Sequence, residues 1–132
     1  MIKEIMDKAE KALGSARILL DAGDSDGATN RAYYAMFDAA IPALSWAGVG
    51  LAQDQHRTHG GLIGSFGLHL VQTGRLPAEL GRALNRVQEL RLTADYLAEP
   101  VPLEKARWTI EEAIGFVAAV SAVLLQPKPP SS

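Results

Sequence analysis

The chain contains no cysteine. That absence excludes a disulfide scaffold, thiol catalysis and any cysteine-ligated zinc or iron–sulfur centre, and it fits a reducing compartment. Aromatic residues are scarce, at 6%, so aliphatic side chains and alanine must build most of the core. Neither sign of charge dominates: 13 Lys and Arg stand against 15 Asp and Glu, for a formal net charge of −2. The global basic field of a non-specific nucleic-acid binder is therefore missing, which leaves room only for a local basic groove. The longest apolar stretch, Ala113 to Leu125, falls short of the roughly 20 residues that span a bilayer. The first eight residues mix both signs and lack an apolar signal core. These absences predict a cytoplasmic protein without a membrane partner. No phosphate-binding loop, dinucleotide glycine fingerprint, nucleophile elbow or zinc-protease motif occurs.

What is present is a single-domain length of 132 residues with 48% hydrophobic side chains, enough for one self-sufficient core. Apolar residues recur at three- and four-residue steps almost throughout, and no segment alternates with period two. The spacing of Ile2, Ile5, Met6, Ala9, Leu13, Ala16 and Leu20 predicts a first helix ending near Asp21. A second is expected from about Asp26 to Ala47, kinked or ended by Pro42, which brings no amide donor. A shorter third, His59 to Gln72, would be capped by Thr58 and weakened by Gly60, Gly61, Gly64 and Gly67. Those glycines suggest a close helix–helix approach. The fourth and fifth helices, Pro77 to Ala98 and Pro102 to Gln126, each begin with proline at the first helical position and an acid in the first turn. Leu80, Leu84, Val87 and Ala94 are expected to face inward on the fourth. Leu103, Ala106, Ile110, Ala113, Ile114, Val117, Val120 and Leu124 form the inward stripe of the fifth. The expected architecture is an all-α, up-and-down bundle of four long helices and one shorter one over residues 1–126. The proline-rich residues 127–132 are expected to be a disordered tail.

Polar residues concentrate in three places. On the second helix Asn30, Arg31, Tyr34 and Asp38 fall on adjoining rows, with Arg31, Tyr34 and Asp38 on one face. Burying a guanidinium, a phenol and a carboxylate in an apolar helix is costly unless each meets a partner. On the fourth helix Arg91 is followed by Asp95 and Tyr96, and Asp95 is spaced to reach Arg91. Two arginines and two aspartates are thus expected to meet across the second and fourth helices. They form either a binding cleft or a structural network. Around the start of the third helix, His56 and His59 with Asp54 could mimic metal ligands, but nothing fixes the loop and a third strong ligand is not evident, so no metal and no cofactor is expected. His59 is expected to point at the second helix, and His69 to be a partly buried structural histidine. Arg82 and Arg86, flanked by Glu79 and Glu89, read as a solvated face.

Three segments, Ala28-Thr29-Asn30-Arg31-Ala32-Tyr33-Tyr34-Ala35-Met36-Phe37, Thr58-His59-Gly60-Gly61-Leu62-Ile63-Gly64-Ser65-Phe66 and Leu90-Arg91-Leu92-Thr93-Ala94-Asp95-Tyr96, together resemble the HEPN family, the higher eukaryote and prokaryote nucleotide-binding domain. The likeness runs from about Ala9 to Leu124 and is greatest to the small stand-alone prokaryotic proteins of its UPF-type branch. It implies a helical bundle, usually a homodimer, often working beside a minimal nucleotidyltransferase in toxin–antitoxin or defence systems and binding nucleotide or RNA. Many members are metal-independent RNases in which an arginine and a nearby histidine on one helix meet at the dimer interface. There the arginine stabilises phosphate charge and the histidine moves protons.

This chain departs from that pattern at the histidine. After Arg91 the stretch holds Asp95 and Tyr96, and counting from Arg31 the corresponding position is Asp38. An aspartate with an ordinary pKa near 4 is a poor base at neutral pH. The resemblance therefore suggests a weakly catalytic or non-catalytic module whose binding residues are Asn30, Arg31, Tyr34, Asp38, His59, Arg91, Asp95 and Tyr96. The alternatives are an endoribonuclease toxin using Arg31, Arg91 and His59 with a degenerate motif, or a bundle whose charged cluster only fixes packing.

Overall fold

A computed structural model of the protein describes residues 2–50 and 59–130, apart from the side chain of His59. Among these residues five α-helices follow one another: α1 (Ile2–Asp21), α2 (Ser25–Trp46), α3 (His59–Phe66), α4 (Ala78–Leu97) and α5 (Leu103–Leu124). A π-helical segment, Gly67–Val71, carries α3 on by one more turn. Among the described residues there is no strand, and the molecule is an all-α bundle. Past α5 the chain has no regular structure as far as residue 130. Thr58 and the Asp54/His56 pair, expected as a cap and as weak metal-ligand candidates, lie outside the described residues.

The helix built deepest into the bundle is α2, which packs mainly on α1 and α5. Its alanines explain how. Ala28, Ala32, Ala35, Ala39, Ala40 and Ala43 are all completely buried, and methyl side chains let neighbouring helices come close. Larger groups fill the spaces between: Tyr33, Met36 and Leu44 from α2, Phe66 from α3, Leu84 and Val87 from α4, and Phe116, Val117 and Val120 from α5. Phe66 and Phe116 stack with ring centroids 5.1 Å apart, a favoured aromatic arrangement. From α1 the buried contribution is narrow, Ala9, Leu13 and Ala16, one row at the helical repeat.

Local chemistry sets where α2 begins. The Asp24 carboxylate accepts from the Gly27 amide at 2.8 Å, satisfying one of the free donors of the first turn. A Cβ at position 27 would collide with that carboxylate. Asp26, in the same turn, accepts from the Val101 amide at 2.8 Å and so ties the α4–α5 connection to the start of α2.

Several expectations change. Of the two outcomes expected at Pro42, it does not end α2: the helix runs on to Trp46, next to the expected Ala47, with Pro42 buried inside it. Burial of the surrounding turns outweighs one missing donor, the one that would have served the Asp38 carbonyl. Pro77 and Pro102 stand at the N-caps in extended conformation, one residue before their helices. Leu103, assigned to the inward stripe of α5, is 50% exposed, and Ile2 on α1 is 45% exposed. Both sit at helix starts, beyond the end of the neighbouring core. Ala94 and Leu80 on α4 are only half-buried, as are Ile114 and Leu124 on α5. The glycines at 60, 64 and 67 do not mediate a close approach, since a Cβ at each would meet open space. The tight position is Gly81 on α4, where a Cβ would lie 3.1 Å from a methyl of Val71.

Candidate functional site

Arg91 is the organising residue. Its guanidinium carbon lies 4.2 Å from the centroid of the Tyr33 ring and 5.4 Å from that of Tyr34, distances at which the ring face attracts a cation. Its Nε donates to the Asn30 side-chain oxygen at 2.7 Å and a terminal nitrogen donates to Gln88 Oε1 at 2.8 Å. Two hydrogen bonds and two rings thus hold one planar fork against α2, an arrangement that suits arginine and not lysine. Asp95 plays no part in it. Among the described residues no hydrogen bond or ion pair joins Arg91 to Asp95; the Arg91 hydrogen bonds go to Asn30 and Gln88.

The Tyr33 ring beneath this fork is fully buried. Burial pushes its phenol up to about 12, opposed by the Arg91 charge and reinforced by Tyr34, so it stays a neutral hydroxyl at any physiological pH. Tyr33, Tyr34 and Phe37 form a small aromatic group, with centroids 5.6 Å apart for Tyr33–Tyr34 and 6.5 Å for Tyr34–Phe37. Tyr34 is 39% exposed and forms the outer edge of this group.

Two surface grooves flank Tyr34. One, of about 440 Å³, is lined by Leu19, Gly27, Asn30, Arg31, Tyr34, Arg91 and Asp95. It brings both arginines and Asp95 to one place between α2 and α4. The other, of about 360 Å³, lies between α1 and α2 and is lined by Lys8, Lys11, Ala12, Ser15, Arg31, Tyr34 and Asp38. Arg31 and Tyr34 are common to both. Asp38 therefore does not meet Arg91, contrary to the expected cluster of four charges; one turn further along α2, it opens toward α1. It is half-buried. That burial raises its carboxyl pKa above the ordinary range, and the nearby Lys8 charge only partly offsets the effect. The aspartate is a better proton carrier than an exposed one.

Of the remaining sequence-predicted residues, Tyr96 is 89% exposed and lines neither groove. His59 is the first residue of α3; its side chain, and so its expected approach to α2, lies outside the described residues. His69 is half-buried on the π-helical segment, and its carbonyl accepts from the Thr73 hydroxyl at 2.9 Å. Arg82 pairs at 3.1 Å with Glu79 on an exposed face. No group of three or more potential metal ligands exists among the described residues, nor is any described helix long and apolar enough to cross a membrane. A larger cavity of about 570 Å³, between Ser45, Trp46, His69, Arg75 and Lys128, holds none of the predicted binding residues.

Sequence reasoning missed Gln88, Lys8 and Lys11. Gln88 carried a usable signal, since it stands three residues before Arg91 on one helical face. The lysines carried none, because α1 looked like any amphipathic helix with a charged outer side.

Comparison with known proteins shows the family of the chain. The model of the HEPN domain matches residues 2–126. A UPF0332 protein of Gloeobacter violaceus is 40% identical over 94 residues, 71% of each chain. A UPF0332 protein of Thermotoga maritima is 32% identical over 120 residues, covering 89% of this chain and 86% of its own. A protein of Methanocaldococcus jannaschii, named provisionally as a toxin, is 32% identical over 123 residues, covering 93% of this chain and 88% of its own. The match spans every helix of the bundle and both grooves, and the chain belongs to the HEPN domain family.

Proposed function

We propose that this protein is a toxin-like HEPN module that binds nucleotide or RNA through the groove between α2 and α4, as a homodimer acting with a minimal nucleotidyltransferase. The observation that carries the reading is that Arg31 and Arg91, from different helices, line one groove beside a part-exposed Tyr34. Two cations and an aromatic face suit a phosphate and a base. The provisional toxin name of the Methanocaldococcus relative supports the toxin-like role. Leu92, Tyr96 and Leu97, exposed by 56%, 89% and 53% beside the groove on α4, support dimerisation, since a second copy would cover them. Fluorescence anisotropy with labelled RNA and a labelled nucleotide tests the binding. Wild type is expected to bind, and Arg31→Ala and Arg91→Ala each to weaken binding at least tenfold. Equal affinity in all three proteins, or no affinity in any, rejects the reading. Sedimentation equilibrium tests the dimer, and Tyr96→Asp is expected to shift it toward monomer.

A second reading, a metal-independent endoribonuclease, draws support from Asp38. Its raised pKa and its place in a groove with Arg31 suit a proton carrier beside a charge-stabilising cation. RNA cleavage in the presence of chelator, lost in both Asp38→Asn and Arg31→Ala, is the expected result if this reading holds. Residual cleavage equal in wild type and variants rejects it.

A further inference from the structure

The two grooves share a wall, and their charges do not balance. Lys8, Lys11 and Ser15 stand three and four residues apart on one face of α1. They look across at Arg31 and Asp38 of α2. Taken together, the lining of both grooves holds four cations, Lys8, Lys11, Arg31 and Arg91, against two carboxylates, Asp38 and Asp95. This excess is local, because the chain as a whole carries a net charge of −2. Along α2 the shared ridge runs from Asn30 to Asp38, about 12 Å at the rise of an α-helix. Midway along it stands Tyr34, its ring 39% exposed. Alternation of cation, exposed aromatic and cation across two grooves that share Arg31 and Tyr34 is the pattern that follows a flexible nucleic-acid backbone while a base stacks on the ring. A free mononucleotide would occupy only one side of Tyr34.

We infer that the ligand is a single-stranded nucleic acid several nucleotides long, which crosses Tyr34 and continues from the Arg91 groove into a second phosphate subsite formed by Lys8 and Lys11. This rests on the nucleic-acid reading of the Arg31/Arg91 groove and extends it. Lys8 and Lys11 are exposed, so they can be replaced without disturbing the core. Lys8 and Lys11 contribute charge and do not distinguish one base from another here, so the α1 subsite favours length over sequence.

The experiment compares a dinucleotide with an eight-nucleotide strand, each as RNA and as DNA, in titrations of the full chain at several salt concentrations. For wild type the longer strand is expected to bind at least tenfold more tightly. In Lys8→Ala/Lys11→Ala its affinity should fall to that of the dinucleotide, while dinucleotide binding stays unchanged. Its salt dependence should also drop, by a slope of about 0.7 for each phosphate the protein no longer neutralises. Lys8→Glu/Lys11→Glu should enlarge the loss, and circular dichroism checks that both variants keep the helical fold. If the lysine variants bind the longer strand with wild-type affinity and slope while Arg91→Ala abolishes binding, the α1 subsite is wrong and the Arg31/Arg91 groove survives. If wild type binds neither length, both readings fall. The RNA and DNA arms separate the sources of the shared phosphate chemistry: equal affinity means recognition of backbone and stacking alone, and an RNA preference adds a contact to the 2′-hydroxyl.

Discussion

Asp38 carries a charge where the fold makes charge expensive. Because burial raises its folded-state pKa, the native protein holds that proton to a higher pH than the unfolded chain does. Above the raised folded-state pKa the group is ionised in both states, and the cost falls on the folded one. Stability contributed by this residue therefore rises as pH falls through the folded pKa, and levels off below the unfolded value of about 3.9. Asp38→Asn removes the cost. We expect a higher melting temperature than wild type at pH 7 and a difference that vanishes in acid, measured by thermal melts across pH. A gain that did not depend on pH would contradict the assignment. Thr29 presents the uncharged counterpart: its hydroxyl is buried and has no hydrogen-bond partner among the described residues. Thr29→Val keeps the shape and removes the desolvated group, so it should stabilise the protein by about 1 kcal/mol in urea melts.

Between helices, contact is set by small residues and by the few places where they are indispensable. At Gly81 a Cβ would meet the Val71 methyl at 3.1 Å, so α4 and the π-helical segment touch there with no slack. Gly81→Ala gains helix propensity, about 1 kcal/mol, but loses to that clash by about 1–3 kcal/mol of overpacking. We expect net destabilisation in the single variant and recovery in Gly81→Ala/Val71→Ala, a coupling that a double-mutant cycle measures directly. Additive effects would mean that the two residues do not share the contact. The number and order of helices were readable from hydropathy spacing, because burial of one face per helix leaves a regular imprint on the residues. The location of this close approach was not. Glycine at positions 60, 64 and 67 looked the same in sequence as glycine at 81, and only the neighbouring helix distinguishes them.

For the molecule as a whole, α2 is the shared wall. It packs extensively on α1 and α5, while α4 meets its neighbours over a smaller area. Local opening should follow that gradient. Hydrogen exchange is expected to be slowest for amides in the middle of α2 and markedly faster along α4. Equal protection in the two would show that the bundle opens only as one unit. The candidate site lies across this gradient, with Arg31 and Tyr34 on the rigid helix and Arg91 on the lighter one. Its legibility was uneven. Arg31, Tyr34 and Asp38 could be grouped from spacing within one helix. That Arg91 is held by Asn30, Gln88 and Tyr33, and not by Asp95, depends on the angle at which α4 crosses α2. No pattern within one segment encodes that angle.

The indole of Trp46 donates to the carbonyl of Gln126 at 3.2 Å, fastening the segment that follows α5 against the far end of α2. The chain has only two tryptophans, and the other, Trp108, is half-buried on α5. With Trp108 replaced by phenylalanine, emission from the remaining indole becomes an optical gauge of whether that last stretch is seated. Its colour would redden on release, even while the helices beneath stayed intact.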